Sequence, residues 1–204
     1  MKFYVLASLI IFCLVIFHNV RKSKRQAERD EQSFWERERK ANSVRRKSLD
    51  HLPYIQIPLE TLPMHVCEED PQVSDCLRII NELSMQPIVN LTGFSNTDLK
   101  LEYGTANITI LIEYDQSYTL LASTLQRWAD LLYNAGYTDE TRQILEFAIS
   151  TGTDVSRSYD ILADIYIATG QSRRIRELTE RAQTLNSLNK NVILRHLQSK
   201  TDHS

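Results

Sequence analysis

Ser123–Ser150 reads STLQRWADLLYNAGYTDETRQILEFAIS, and Arg157–Thr184 reads RSYDILADIYIATGQSRRIRELTERAQT. The two stretches overlay without a gap, Ser123 on Arg157 and Ser150 on Thr184. Leu125 then falls on Tyr159, Trp128 on Leu162 and Leu132 on Tyr166. Ala129 falls on Ala163, Gly136 on Gly170 and Ala148 on Ala182. Large side chains meet large ones, and small meet small. Leu125, Trp128 and Leu132 recur at three- and four-residue steps, the spacing of an apolar helix face. Ile144, Leu145, Ala148 and Ile149 do the same after the glycine. Alanine-sized positions let two antiparallel helices approach closely, while bulky neighbours fill the space beside them. A glycine between the two runs supplies the left-handed residue that ends a helix. Each stretch therefore predicts a helical hairpin, and the fold class is all-α.

This pattern resembles the tetratricopeptide repeat, a helix–turn–helix unit of about 34 residues. The resemblance places Ala129 and Ala163 at the tight contact between paired helices, Gly136 and Gly170 at the turn, and Ala148 and Ala182 at a second tight contact. Trp128 and Leu162 are the bulky partners. It departs from the family at Thr141 and Ile175, where the family has Ala, and at Thr153, where it has a closing Pro. The implied architecture is an α-solenoid domain over 105–204, with copies at about 122–155 and 156–187. Two copies are fewer than the three such stacks need. Residues 107–121 are therefore expected to supply a helix before the first copy. A capping helix at 188–200 is expected after the second, through Leu188, Val192, Ile193 and Leu197. The family works as a protein-interaction scaffold whose concave surface is lined by the first helix of each pair. That surface would take Gln126, Asp130 and Tyr133 from the first copy and Asp160, Asp164 and Ile167 from the second. The Lys and Asn of the family's carboxylate-gripping version do not stand at these positions. An acidic groove would favour a basic or neutral peptide; a merely solvated acidic face is the plainer alternative.

Residues 3–17 read FYVLASLIIFCLVIF, and RKSKR begins at Arg21. The stretch from Phe3 to Val20 spans about 27 Å as a helix, enough for a thin bilayer. A cleaved signal peptide needs small residues in an A-x-A-like pattern after the run; Ile16, Phe17, His18 and Asn19 stand there instead. Residues 1–20 thus read as a retained single-pass transmembrane helix. The excess of Lys and Arg on its trailing side favours the body on the cytoplasmic side.

Residues 21–49 hold eleven basic and five acidic side chains, a net of +6. The segment has no Gly or Pro and predicts a juxtamembrane helix, read as a solvated stalk and as a site of attraction to anionic lipid headgroups. Residues 51–172 hold five basic and seventeen acidic side chains, a net of −12. Such a body repels phosphate, which argues against nucleic acid as a partner. Residues 50–104 read as a connector. Its strip Leu52–Pro63 has three prolines with apolar residues at Leu52, Tyr54, Ile57, Leu59 and Leu62, so it predicts an extended segment lying against something. A groove of its own domain is one place for it. A helix is predicted from Pro71 with Val73, Cys76, Ile79, Ile80 and Leu83 on one face, and another from Ser95 to a stop at Gly104.

His51, His65, Cys67 and Cys76 match no zinc spacing, so no metal is expected, and no cofactor. Cys67 and Cys76 fit either reduced thiols or one disulfide. The sequons at Asn90 and Asn107 would be inert on the cytoplasmic side. No nucleophile elbow, phosphate loop, zincin or dinucleotide motif occurs, so an enzyme is not expected. The reading is a membrane-anchored interaction scaffold. The alternative is a subunit of a membrane complex recognised through its span, with a helical bundle that binds no peptide.

Overall fold

A computed structural model of the chain describes residues 2–201; the side chains of residues 2–11 and 13–15, of Ser172 and of Thr201 fall outside the description. Among the described residues are eight α-helices, one 3-10 turn and no strand, in agreement with an all-α class. The helices are α1 (Lys2–Asn42), α2 (Pro71–Ser84), α3 (Asn96–Tyr103), α4 (Ile108–Asn134), α5 (Thr138–Ser150), α6 (Ser156–Ala168), α7 (Ser172–Thr184) and α8 (Lys190–Thr201), with the 3-10 turn at Thr105–Asn107. The chain divides into two compact units, Met1–Lys47 with Ser95–Ile108, and Ser48–Phe94 with Thr109–Ser204.

In the first unit, α1 is one continuous helix of 41 residues, about 62 Å long at about 1.5 Å per residue. The segments expected separately as a span and a juxtamembrane helix are joined in it, because nothing between them breaks a helix. It stops at Asn42 rather than at residue 49. There the Ser43 hydroxyl turns back onto the Lys40 carbonyl at 2.7 Å, and the Lys47 amide donates to the Tyr103 carbonyl at 3.0 Å. Most side chains of the expected span at 1–20 lie outside the described residues. Among the described residues no helix is long and apolar enough to cross a membrane.

The helix expected between Ser95 and Gly104 is α3, and Ser95 caps it in a reciprocal box with Asp98. Arg37 pairs with Asp98, and Glu38 pairs with Lys100 while accepting the Thr97 hydroxyl at 2.7 Å. Asn107 is fully buried. Its carbonyl accepts Arg46 Nε at 3.0 Å, and its amide donates to the carbonyls of Lys47 and Tyr103, each at 2.8 Å. One side chain thus ties the end of α1 to the end of α3, and that amide nitrogen is not open to glycosylation.

In the second unit the internal echo of the sequence is an echo of helix boundaries. α5 and α7 are both thirteen residues long, and their starts at Thr138 and Ser172 are corresponding positions of the two copies. α4 and α6 end at Asn134 and Ala168, again corresponding positions. The first-to-second-helix turns share their hydrogen bonds. Gly136 and Gly170 sit at φ of 88° and 68°. Tyr137 N–H reaches back to the Leu132 carbonyl at 2.9 Å, and Gln171 N–H to Tyr166 at 2.8 Å. These bonds close the helix ends that the glycines terminate.

Trp128, Ala129, Ala148, Leu162, Ala163 and Ala182 are all buried in one core with Leu125, Leu132, Tyr159 and Tyr166. Thr141 is fully buried and its hydroxyl donates to the Tyr137 carbonyl at 2.7 Å, which satisfies the one polar atom that Ala would not bring. Thr153, in place of the closing Pro, is buried and its carbonyl accepts the Tyr159 hydroxyl at 3.0 Å.

The helix expected at 107–121 is not a separate element. α4 runs 27 residues from Ile108, since neither Gly nor Pro interrupts it. Asp70 caps α2, accepting the amides of Gln72 at 2.7 Å and Val73 at 3.3 Å. Leu52 and Leu62 bury the two ends of the strip, and Ile55, Ile57 and Leu59 pack on the helical core. The capping helix is α8, whose Ile193 and Leu197 are fully buried. Leu188 does not join it. It is 99% exposed, because the chain is still leaving α7 at that point.

Candidate functional site

The residues expected to line a concave surface sit on α4 and α6. Gln126 is buried at 9% exposure and accepts the Ser158 hydroxyl at 2.5 Å. It belongs to the seam between α4 and α6 rather than to an open surface. Its amide nitrogen has no partner among the described residues. Asp130 accepts Arg157 Nε at 2.7 Å, from the first turn of α6. Asp160 faces His196 Nδ1 at 3.2 Å, and Asp164 pairs with Lys200, both from α8. Tyr133 is exposed at 36%. Ile167 packs partly buried against the core. The structure therefore brings the three aspartates into one series. Those of α6 are answered from α8, and that of α4 is answered from α6, each by a positive or protonatable group.

Arg157, His196 and Lys200 were not picked out from the sequence. The signal for the last two lay in the repeat frame. α8 starts at Lys190, one repeat period after Ser156 at the start of α6, so it occupies the register of a third first helix. Continuing the frame past residue 187 would have placed its cations opposite α6.

On the other side of α6, the Tyr166 hydroxyl donates to Glu146 Oε1 at 2.8 Å, and Arg142 shares that oxygen at 3.2 Å. Burial pushes the Tyr166 phenol up, and its hydrogen bond to Glu146 adds to the shift. Glu146 thus joins Tyr166 to Arg142, and Glu146 and Tyr166 line a small cavity of about 210 Å3 with Arg174, Glu177 and Arg181.

Cys67 and Cys76 are both free thiols. Burial pushes the Cys76 thiol up, which makes it a poor nucleophile. No group of three His, Cys, Asp or Glu among the described residues is placed to hold a metal ion. The sequon amide of Asn90 donates to the carbonyls of Thr151 and Gly152 at 2.9 and 3.1 Å, so it too is committed to the fold.

No protein-family model, no curated protein and no solved structure matches this chain. Its functional reading rests on its own residues and geometry.

Proposed function

We propose that the chain is a membrane-tethered adaptor whose tetratricopeptide-like hairpins present a helical surface to a partner protein. The supporting observation is the repetition of helix boundaries, turn hydrogen bonds and small-residue packing at one constant period. A stack of hairpins exposes a face of successive first helices, and that face is what such units offer to partners. The tether is residues 1–20, on the strength of the apolar run in the sequence. The basic segment 21–49 lies against anionic headgroups, at about 1 kcal/mol per nearby cation before screening. The body lies on the cytoplasmic side, by the Lys and Arg bias behind the span.

The partner segment is basic or neutral. Asp130 and Asp164 are already answered by Arg157 and Lys200, so a basic segment binds by exchanging its cations for these two. Exposed pairs of this kind contribute about 0–1 kcal/mol, a small barrier to exchange. Crosslinking with mass spectrometry in native membranes tests the reading. Partner peptides joined to α4, α6 or α8, and lost in the full-length Asp130→Lys, Asp164→Lys double variant with helicity intact, are expected. Crosslinks confined to residues 1–20 would instead make the span the recognition element and defeat the adaptor reading.

A further inference from the structure

The second unit holds a groove away from the aspartate series. It is bounded by the strip Pro53–Gln56, by Asn90 and Thr92, and by the turns that end α5 and α7, and encloses about 520 Å3. That lies within the usual range of binding pockets, about 300–1,000 Å3. No Asp, Glu, Lys, Arg or His lines it, although residues 51–172 carry a net −12. A charged ligand would find no counter-charge here.

One wall is the strip Tyr54–Gln56, in which the Tyr54 amide already turns back onto the Leu52 carbonyl at 2.8 Å. The Ile55 amide donates inward to the Ile88 carbonyl at 2.9 Å. In an extended chain, the backbone groups of successive residues face opposite edges. The N–H and carbonyl of Gln56 and the Tyr54 carbonyl, on the side away from Ile88 in such a chain, have no partner among the described residues. Gln56 makes no hydrogen bond to any described residue. Its side chain and that of Asn186, on the opposite rim, are both exposed and unpartnered among the described residues.

The groove is also built rigidly. Leu52 and Leu62 pin the strip at 7% exposure each. The Tyr54 ring meets Tyr114 edge-on at 5.9 Å. Asn90 clamps the turn after α5 through the carbonyls of Thr151 and Gly152. Gly93 lies so close to the turn after α7 that a Cβ would fall 2.3 Å from the Asn186 carbonyl oxygen. A site held open in this way loses little entropy when a ligand enters.

We propose that this groove receives an extended, uncharged segment of a partner protein, which adds its backbone to the outer edge of Tyr54–Gln56. Strand addition to a free edge draws affinity from main-chain hydrogen bonds and specificity from alternate side chains. The strip Tyr54–Gln56 offers an edge of about 10 Å, at about 3.3 Å per residue. The inference rests on the reading of the chain as a protein-binding module and gives it a second partner chemistry, distinct from that of the aspartate series.

The test uses the full chain in lipid nanodiscs and a phage-displayed library of random linear peptides. Enrichment of uncharged sequences with β-branched residues at alternate positions is expected. Gln56→Pro removes one edge donor while keeping an extended backbone, and should weaken the enriched peptide about tenfold. Asn186→Lys, which leaves the strip untouched, should weaken it too. N-methylation walked along the synthetic peptide should abolish binding at every second residue, a readout that does not depend on how either variant folds. Enrichment of charged peptides, no enrichment, or an N-methyl series without alternation overturns the proposal. Native-membrane crosslinks to α6 with no peptide enrichment would sink the groove and leave the adaptor standing. Enrichment without crosslinks would do the reverse.

Discussion

Gly136 and Gly170 stand at φ of 88° and 68° with nothing within 4 Å of where a Cβ would sit. A side chain there meets no clash, so the cost of adding one is backbone strain alone. For an L-residue that cost is roughly 1–2 kcal/mol. Gly136→Ala and Gly170→Ala should each lower the stability of the full chain in detergent by about that much, and by similar amounts, because the two turns are equivalent. Asn, which tolerates the left-handed region, should cost less. Urea unfolding followed by circular dichroism measures it; an Ala variant with an unmoved midpoint would show that the turns do not depend on left-handed residues. These glycines were legible in the sequence because the requirement is local. The small positions Ala129, Ala148, Ala163 and Ala182 were legible for the same reason, since each repeats at a fixed offset. The partners of the aspartates were not. Arg157 stands 27 positions downstream of Asp130, off the repeat period, and His196 and Lys200, each 36 positions downstream of its aspartate, are marked only once the repeat frame is continued into α8.

At the scale of elements, the faces of the helices were easier to read from the residues than their lengths. α1 and α4 each run through a boundary that composition had drawn. A change from apolar to basic, or from one expected helix to the next, does not end a helix; Gly, Pro or a competing side-chain hydrogen bond does. Ser43 supplies the last kind for α1. α8 raises a question of which forces hold it. Ile193 and Leu197 are fully buried, whereas its polar contacts to α6 are part exposed: side-chain exposures are 24% and 49% for Lys200 and Asp164, and 50% and 29% for His196 and Asp160. Exposed pairs contribute about 0–1 kcal/mol, and a Leu→Ala change in a core costs about 2–5 kcal/mol. Leu197→Ala should therefore release α8, seen as fast amide hydrogen exchange across Lys190–Thr201. Asp160→Asn with Asp164→Asn should leave exchange there nearly unchanged. The opposite ranking would mean that charge, not apolar burial, seats the last helix. A partner of the aspartate series would then have to compete with α8 itself rather than with two side chains.

Across the whole molecule, acid and alkali act on different layers. The Lys100 ammonium beside Glu38, with the Thr97 hydroxyl, holds that carboxyl below its usual range. The Ser95 hydroxyl and amide, with Arg37, do the same for Asp98, and Arg78 with Arg127 for Asp75. A carboxyl held low in the fold contributes stability that is present above its unfolded value, about 4, and lost as pH falls through the folded value. Acid should thus loosen the α1–α3 ties and the Arg127–Asp75 tie between α4 and α2 while the apolar core persists. In the core the signs reverse. Burial pushes the Tyr118 phenol up to about 12, and moves Tyr159 and Tyr166 upward as well. An unfolded tyrosine ionises near about 10. Between these values the folded form keeps a proton that the unfolded form releases, so stability is whole below about pH 10 and falls as pH climbs through the folded value. Of nine tyrosines, these three should ionise only together with loss of helicity. Tyrosinate absorbance and circular dichroism recorded through the same alkaline titration decide it. These three ionising reversibly near about pH 10 with helicity intact would mean that the packed faces of α4 and α6 admit water, and that their aromatic side chains do not hold the hairpins together.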